Sequence, residues 1–317
     1  MIFKTIENNI KHILSSKPKI LLGFSGGPDS VFLFYFLKKL HEDNKIELIC
    51  THLDHGWRKE SFEDVKYCSN LCKKYKIALI TGHAKDLCLN LKFNGSQEEI
   101  GRKLRRHFFE QTLKEQNANF IALAHHLQDQ QETFFWRIIR GTTLSGLTCM
   151  KQINSPYIRP ILNISKQEIL EYLTTNKIDY LQDSTNLSDK YLRNRIRKNV
   201  LPAMQKCDER FNQKFESTLK HLQEEDDFLQ KLTQQAFETV FTEKKGNLKD
   251  FLELDLVLQK RLIIFWLTQE NVQFTPSENY LNEILRFLKN PRGGSHKLST
   301  SWKLFKKKNL FGIEKNY

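Results

Sequence analysis

The chain has 317 residues, a length that suggests about two domains of roughly 100–200 residues each. Its 50 Lys and Arg against 37 Asp and Glu give a net charge of +13 and a pI near 9.3, so a polyanion or an anionic substrate is expected, while 39% hydrophobic residues and 23 Phe exclude a disordered chain. No uncharged apolar run approaches the ~20 residues that cross a bilayer, and the six cysteines form no CxxC pair, so a cytoplasmic protein without membrane contact, zinc ribbon or disulfide framework is expected.

The N-terminal stretch MIFKTIENNIKHIL carries acidic and amide residues where a signal peptide would be apolar. Strand-like and helix-like runs then alternate. Lys19–Phe24 is an apolar strand, and Asp29–Leu40 a helix apolar on nearly every side. Ile46–Leu53 and Ser61–Tyr75 repeat the pair, as do Ile77–Thr81 with Ser96–Glu115 and Phe120–Ala124 with Asp129–Arg140. Four such units with continuous apolar strands predict an α/β domain around a parallel sheet covered on both faces. Ligands in such sheets bind beyond the carboxyl ends of the strands. After Gly141 the pattern changes. Ser165 and Glu168 form a capping box opening a helix that runs to about Thr175. A helical connector is expected from Cys207 to about Val240, then helices over Phe251–Trp266 and Ser277–Leu288. A terminal strand pair, roughly His296–Phe305 and Asn309–Ile313, flanks a lysine-rich turn. The boundary near residue 205 gives a catalytic domain over 1–205 and a smaller, mainly helical α+β domain over 206–317.

Gly23-Phe24-Ser25-Gly26-Gly27-Pro28-Asp29-Ser30 lies between the first strand and its helix. Glycines there let backbone N–H groups approach a phosphate, the helix N-terminus adds positive potential, and two serines add donors. The alternative is a tight turn in which Asp29 or Ser30 caps the helix. Neither a Walker A lysine nor GxGxxG spacing is present, which argues against kinase chemistry. After the second strand, HLDHGWR contains Asp54, fit either for a nucleotide or metal contact or for bracing its own loop. After the fourth strand, HHLQDQQET contains Asp129 and Glu132, which suit Mg²⁺. They equally suit a helix start with Asp129 as N-cap and Glu132 three residues on. EEIGRKLRR, with Arg102, is either a functional basic face or a solvated one.

SGGPDS matches the signature of the PP-loop ATP pyrophosphatases, which cleave ATP to AMP and pyrophosphate. SGGPDS, HLDHGWR, EEIGRKLRRHFF, HHLQDQQETFFWRIIRGTTLSGL and IRPIL…DSTN…YLRNRIRKNVLP, in this order over about residues 20–205, resemble the tRNA(Ile)-lysidine synthetase family. One departure is Gln128, where the family carries an acidic residue. The chain is also short for the family and is expected to end after one C-terminal domain.

The resemblance implies a ligase that uses ATP to adenylate the C2 oxygen of the wobble cytidine in a CAU-anticodon isoleucine tRNA. L-lysine then displaces AMP to form lysidine, changing the codon read from AUG to AUA and the charging from methionine to isoleucine. It implies ATP binding by Ser25, Gly26, Gly27, Pro28, Asp29, Ser30 and Asp54. Catalysis would fall to Asp29, Asp129 and Arg102, and Mg²⁺ to Asp29, Asp129 and Glu132. Arg193, Arg195, Arg197, Lys198, Lys306, Lys307 and Lys308, with Lys303, would meet tRNA phosphates. The resemblance also allows a homodimer. The competing readings are another PP-loop tRNA-modifying reaction, 2-thiolation, an amidotransferase-type relative, and a non-catalytic basic RNA-binding module.

Overall fold

The structure is a computed structural model that describes residues 2–57, 61–87, 97–182 and 191–316. Arg58, Cys88 and the DSTN stretch at 183–186 lie outside the described residues. The chain divides into two compact units, Met1–Leu219 and Lys220–Tyr317. The boundary expected near residue 205 falls inside a short helix, and the units part within a long one.

In the first unit, α1 (Ile2–Leu14) precedes β1 (Lys19–Gly23), α2 (Pro28–Glu42), β2 (Glu47–Asp54), α3 (Ser61–Lys74) and β3 (Ala78–His83). Then come α4 (Gln97–Glu115), β4 (Phe120–Ala122), α5 (Leu127–Arg140), α6 (Leu144–Leu147), β5 (Ile153–Asn154) and β6 (Tyr157–Ile158). α7 (Lys166–Thr175), α8 (Leu192–Arg195), a π-helical turn over Ile196–Val200, α9 (Leu201–Cys207) and the start of α10 (Phe211–Val240) complete it. The strands form a sheet of order β3-β2-β1-β4-β6-β5, parallel except for the β5–β6 hairpin.

The expected βα alternation is present, with boundaries shifted by a few residues at most. α2 is apolar nearly all round because nearly all of it is covered: Val31, Phe32, Leu33, Phe34, Phe36 and Leu37 are at most 1% exposed. Phe24 stacks on Phe34 with ring centroids 5.1 Å apart. Ile6 and Ile10 carry α1 into the same core, an element the sequence reading did not assign. Cys50, Cys68 and Cys72 are packed in that core.

The strand order decides where the site must be. From β1 the chain steps outward to β2 and β3, then returns to the other side of β1 as β4. The strand order therefore reverses at β1, and crevices form beyond the carboxyl ends of strands at such a switch point. The register sets Leu22 beside Ala122, so the loops that follow β1 and β4 emerge side by side.

The second unit holds the end of α10, then β7 (Phe241–Thr242), β8 (Lys245–Asn247), α11 (Leu248–Glu253), α12 (Leu256–Gln269) and α13 (Glu278–Lys289). β9 (Gly294–Lys297), β10 (Trp302–Lys307) and β11 (Leu310–Lys315) follow, in an antiparallel sheet of order β7-β8-β11-β10-β9. Phe241, Trp266 and Phe311 form the centre of its aromatic core. The helix expected over Phe251–Trp266 is broken. Leu254 is extended (ψ 151), and the Gln259 side chain donates to the carbonyls of Leu252 and Leu254 at 3.2 and 2.8 Å. A buried amide thus satisfies acceptors that the break leaves without helical partners. The run His296–Phe305 is likewise split, by a turn in which the Leu298 and Ser299 N–H groups share the Trp302 carbonyl.

Candidate active site

The loop after β1 is built around Gly26, whose φ of +79° is left-handed backbone that glycine adopts without strain. Its carbonyl accepts from the Leu181 N–H at 2.9 Å, and a Cβ there would lie 2.6 Å from the Leu181 Cδ1. Gly27 is the N-cap of α2 and Pro28 its first residue, where a fixed φ and a missing N–H cost nothing. No side chain caps this helix, so neither Asp29 nor Ser30 has the capping role the sequence left open. Ser30 donates to the Gly27 carbonyl at 2.9 Å, and the Ser25 and Ser30 hydroxyls are 3.0 Å apart. The result is a hydroxyl-lined turn at the N-terminus of a buried helix, a setting suited to phosphate.

Asp29, in the first turn of α2, pairs with the Lys166 ammonium at 2.6 Å. The His126 Nε2 lies 3.7 Å from both the Asp29 and the Asp129 carboxylates, so the loops after β1 and β4 meet through this imidazole. The N-cap of α5 is His126 rather than Asp129. Asp129 instead holds the third helical position and accepts the His126 N–H at 2.9 Å. Burial works to raise the Asp129 pKa, but the His126 and His125 rings, that N–H and Arg197 outweigh it and hold the carboxyl below its usual range. His125 is pushed down to about 4, first by burial and then by Arg159, Arg102 and His126 against the pull of Asp129.

The metal expectation divides. Asp29 and Asp129 both lie beside the His126 imidazole, and carboxylate oxygens are the hard ligands that Mg²⁺ takes. Glu132 is committed elsewhere: Arg197 holds both its oxygens, Nε at 2.5 Å and Nη2 at 3.0 Å. Burial pushes the Glu132 carboxyl up against the pull of that guanidinium. Among the described residues no three His, Cys, Asp or Glu side chains form a ready-made metal cluster. Gln128 is a tie between elements. Its Oε1 accepts the Lys166 backbone N–H at 2.7 Å and fixes the start of α7 against α5.

Beyond β2, Asp54 braces its own loop. It accepts the Gly56 N–H at 2.8 Å and faces His83 Nδ1 at 3.2 Å. His52 is buried, with Nδ1 2.8 Å from the Phe24 carbonyl, and so links this loop to the one after β1. His55 stacks on Trp57 with centroids 4.5 Å apart, and a Cβ on Gly101 would meet the indole at 2.5 Å. Gly101 therefore lets α4 lie against that ring. Burial pushes His55 down to about 4, helped by Arg105 and His52 and opposed by Asp54. An unfolded histidine titrates near ~6.5, so the unfolded chain binds the proton more readily. The stability this group contributes is complete above pH ~6.5 and is lost as the pH falls toward ~4. His55→Phe, which keeps a ring over Trp57, should reduce the stability lost between pH 7 and pH 5 by about 1 kcal/mol, allowing for partial exposure. Urea unfolding at the two pH values measures this, and equal losses in the two proteins would mean that His55 titrates normally.

Arg102 is exposed on α4, and its charge is felt at His125 and at Arg159. Arg159, just after β6, is 9% exposed and donates to the Lys151 carbonyl at 3.0 Å. Burial, then Arg102, lowers its pKa. Arg159, Lys166 and His126 are site residues that the sequence reading did not single out. Lys166 had a signal: a cation in the first turn of a helix opposes the helix dipole and calls for a partner. Of the basic residues expected to face tRNA, Arg195 and Lys198 are exposed, Arg193 is half-buried, and Arg197 is the partner of Glu132. Lys306, expected to meet tRNA phosphates, instead points inward. It is 4% exposed and donates to the carbonyls of Phe287, Leu288 and Asn290, so it closes the end of α13 and faces no solvent. Lys307 and Lys308 are exposed.

The PP-loop domain family matches residues 2–204. A tRNA(Ile)-lysidine synthase of Petrotoga mobilis is 36% identical over 214 residues, 68% of either chain. The chain belongs to the tRNA(Ile)-lysidine synthase family of PP-loop proteins. Synthases of this family from Bacillus subtilis (33% identical over 300 residues) and Bacillus cereus strain ATCC 10987 (30% over 290) cover 88% and 87% of the chain. The chain spans about three-fifths of the length of these relatives, 62% and 61%. A solved U34-tRNA thiolase, NcsA from Methanococcus maripaludis with its [4Fe-4S] cluster, superposes with a TM-score of 0.58 at 20% identity, over 69% of this chain and 78% of that one, a likeness of fold alone. The PP-loop fold expected from SGGPDS is thus present in this lysidine synthase family member. No helix among its described residues is long and apolar enough to cross a membrane.

Proposed function

We propose that this chain ligates the ε-amine of L-lysine to C2 of the wobble cytidine of the isoleucine tRNA with a CAU anticodon, at the expense of ATP. The observation that carries this reading is the meeting of the Ser25–Ser30 loop with Asp29, His126 and Asp129 at the switch point of the sheet, in a chain of this family. The C2 oxygen attacks the α-phosphorus, a C–O–P bond forms, and pyrophosphate leaves. The lysine amine then attacks C2, the C–O bond breaks, AMP departs with the oxygen, and the amine loses a proton. The free ε-amine titrates near ~10.4, so the site must bind it neutral or accept its proton.

Ser25, Gly26, Gly27, Pro28 and Ser30 cradle the departing pyrophosphate with hydroxyls and the N-terminal N–H groups of α2. Asp29 and Asp129 would hold Mg²⁺, which when bound offsets the charge on the leaving group. Lys166 balances Asp29 until the nucleotide arrives. Arg102 and Arg159 face the anionic end of a substrate, and a guanidinium fork grips a carboxylate at two points. Asp54 acts through the loop it braces. The 2-thiolation alternative usually uses paired cysteines, and the sequence has no CxxC pair; of the described cysteines only Cys207 is exposed. Cys50, Cys68 and Cys72 are buried, and burial pushes the Cys149 thiol up to about 12.

Nucleoside mass spectrometry of the isoleucine tRNA, incubated with the protein, ATP and lysine, tests the reading. Lysidine is the expected product. Its absence alongside a thiolated base, or with no AMP formed, would refute the proposal. Exposed cations should give the RNA affinity a steep salt dependence. Neutralising Lys307 and Lys308 should lower the slope of log affinity against log salt by roughly 0.7–0.9 for each phosphate that is no longer neutralised. Lys306→Gln should leave the slope alone and destabilise the second unit, since its ammonium serves buried carbonyls. An unchanged slope in the double variant would make that turn a solvated charge run.

A further inference from the structure

Asp129, Glu132, Trp136 and Arg140 recur at three- and four-residue spacing and share one face of α5. The segment over 192–200 runs antiparallel beside that face: Arg197 holds Glu132, and four residues earlier Arg193 lies over Trp136. The half-exposed indole carries two guanidiniums, Arg140 at 4.7 Å and Arg193 at 5.6 Å from the ring centroid. Glu132, Trp136 and Arg140 thus form a strip that starts at the Asp129 carboxylate. Seven residues of helix set Trp136 about 10 Å from Asp129, a distance that about three stacked nucleotides cover.

Core packing does not account for this group, because the indole is only partly buried and Arg140 is exposed, so flat faces are presented toward the surface. Its chemistry is that of single-stranded RNA recognition: flat aromatic and guanidinium faces for an unstacked base, with cations for the phosphates on either side. Arg195 and Lys198 are exposed along the same segment and supply those cations. A paired duplex has no free base faces to offer. We propose that Trp136, Arg140 and Arg193 form a stacking platform for an unpaired nucleotide neighbouring the one that is modified. The proposal rests on the RNA-modifying reading above and adds to it the surface that holds the loop open.

The test is the affinity of the full chain for a labelled hairpin with a CAU loop and for a fully paired duplex of the same composition, by fluorescence anisotropy at one salt concentration. Trp136→Ala should weaken hairpin binding by about tenfold or more, and duplex binding by less than about twofold, as a lost base stack predicts. Trp136→Phe, which keeps a ring face, should recover most of the loss, and ATP affinity should be the same in all the proteins. If the alanine variant folds poorly, Arg140→Gln carries the same comparison, with a hairpin-specific loss of about threefold. Unchanged hairpin affinity, equal losses on hairpin and duplex, or a wild type that prefers the duplex would each overturn the platform. Lysidine formed normally by Trp136→Ala at limiting tRNA refutes the platform alone. A wild type that grips the hairpin through Trp136 yet makes no lysidine refutes only the ligase reading.

Discussion

Asp29→Ala is expected to lower ATP-dependent release of AMP and pyrophosphate on the order of 10²–10³-fold, the usual cost of removing a preorganised electrostatic contact. RNA affinity should stay within about twofold, because the phosphate backbone dominates that affinity and, under the proposed reading, this carboxylate serves the nucleotide. The fold should survive. Asp29 does not cap α2, and the Lys166 ammonium it would strand is about a third exposed, so water can take it up. Asp29→Asn separates charge from shape: it keeps the volume of the side chain but loses the attraction for a cation and for Lys166. Steady-state AMP formation and a parallel hairpin titration measure both properties. Full turnover in either variant would reduce Asp29 to a surface partner of Lys166.

Gly26→Ala should act on both stability and rate. A residue with a side chain at φ +79° costs of order 1–3 kcal/mol, and the new Cβ meets Leu181 and Tyr67. The loop has little room to relax, because the Gly26 carbonyl is tied to the Leu181 N–H. Under the proposed reading, displacing hydroxyls that cradle the departing pyrophosphate is expected to lower turnover by about 10²-fold. Adding Leu181→Ala relieves the closer steric conflict but neither the Tyr67 contact nor the backbone strain, so stability should return only in part. Chemical denaturation and AMP release together resolve the two contributions. A Gly26→Ala protein as stable and as fast as wild type would show that the loop takes up another conformation freely.

The first unit is legible in the sequence to the extent that local patterns decide it. The apolar runs of β1, β2 and β4, the buried helix after SGGPDS and the Ser165–Glu168 capping box each follow from neighbours in sequence. What escaped depends on contacts across the chain. Asp129 and Glu132 read equally well as a cap pair and as metal ligands. His126 takes the cap, and Arg197, from far along the chain, takes Glu132. The break before α12 is stabilised by one buried glutamine, a rescue that helical periodicity does not announce. Lys306 misleads by its charge. It shares strand parity with buried Leu304, so alternation along β10 points it inward, but the adjacent lysines conceal that pattern.

Asp29 and the lysine that pairs with it are 137 residues apart in the chain. The strands β1 and β4, whose following loops form the two halves of the candidate site, are separated by roughly a hundred residues, with two other strands between them in sequence. Closing so long a loop costs conformational entropy before any contact repays it. During synthesis, the glycine-rich turn therefore emerges well before it has anything to work with. A ribosome-bound fragment ending after β3 holds SGGPDS but lacks Asp129, His126 and Lys166. Under the proposed reading, competence to use ATP requires β4 and the residues that follow it, so a nascent chain ending after β3 should not hydrolyse nucleotide.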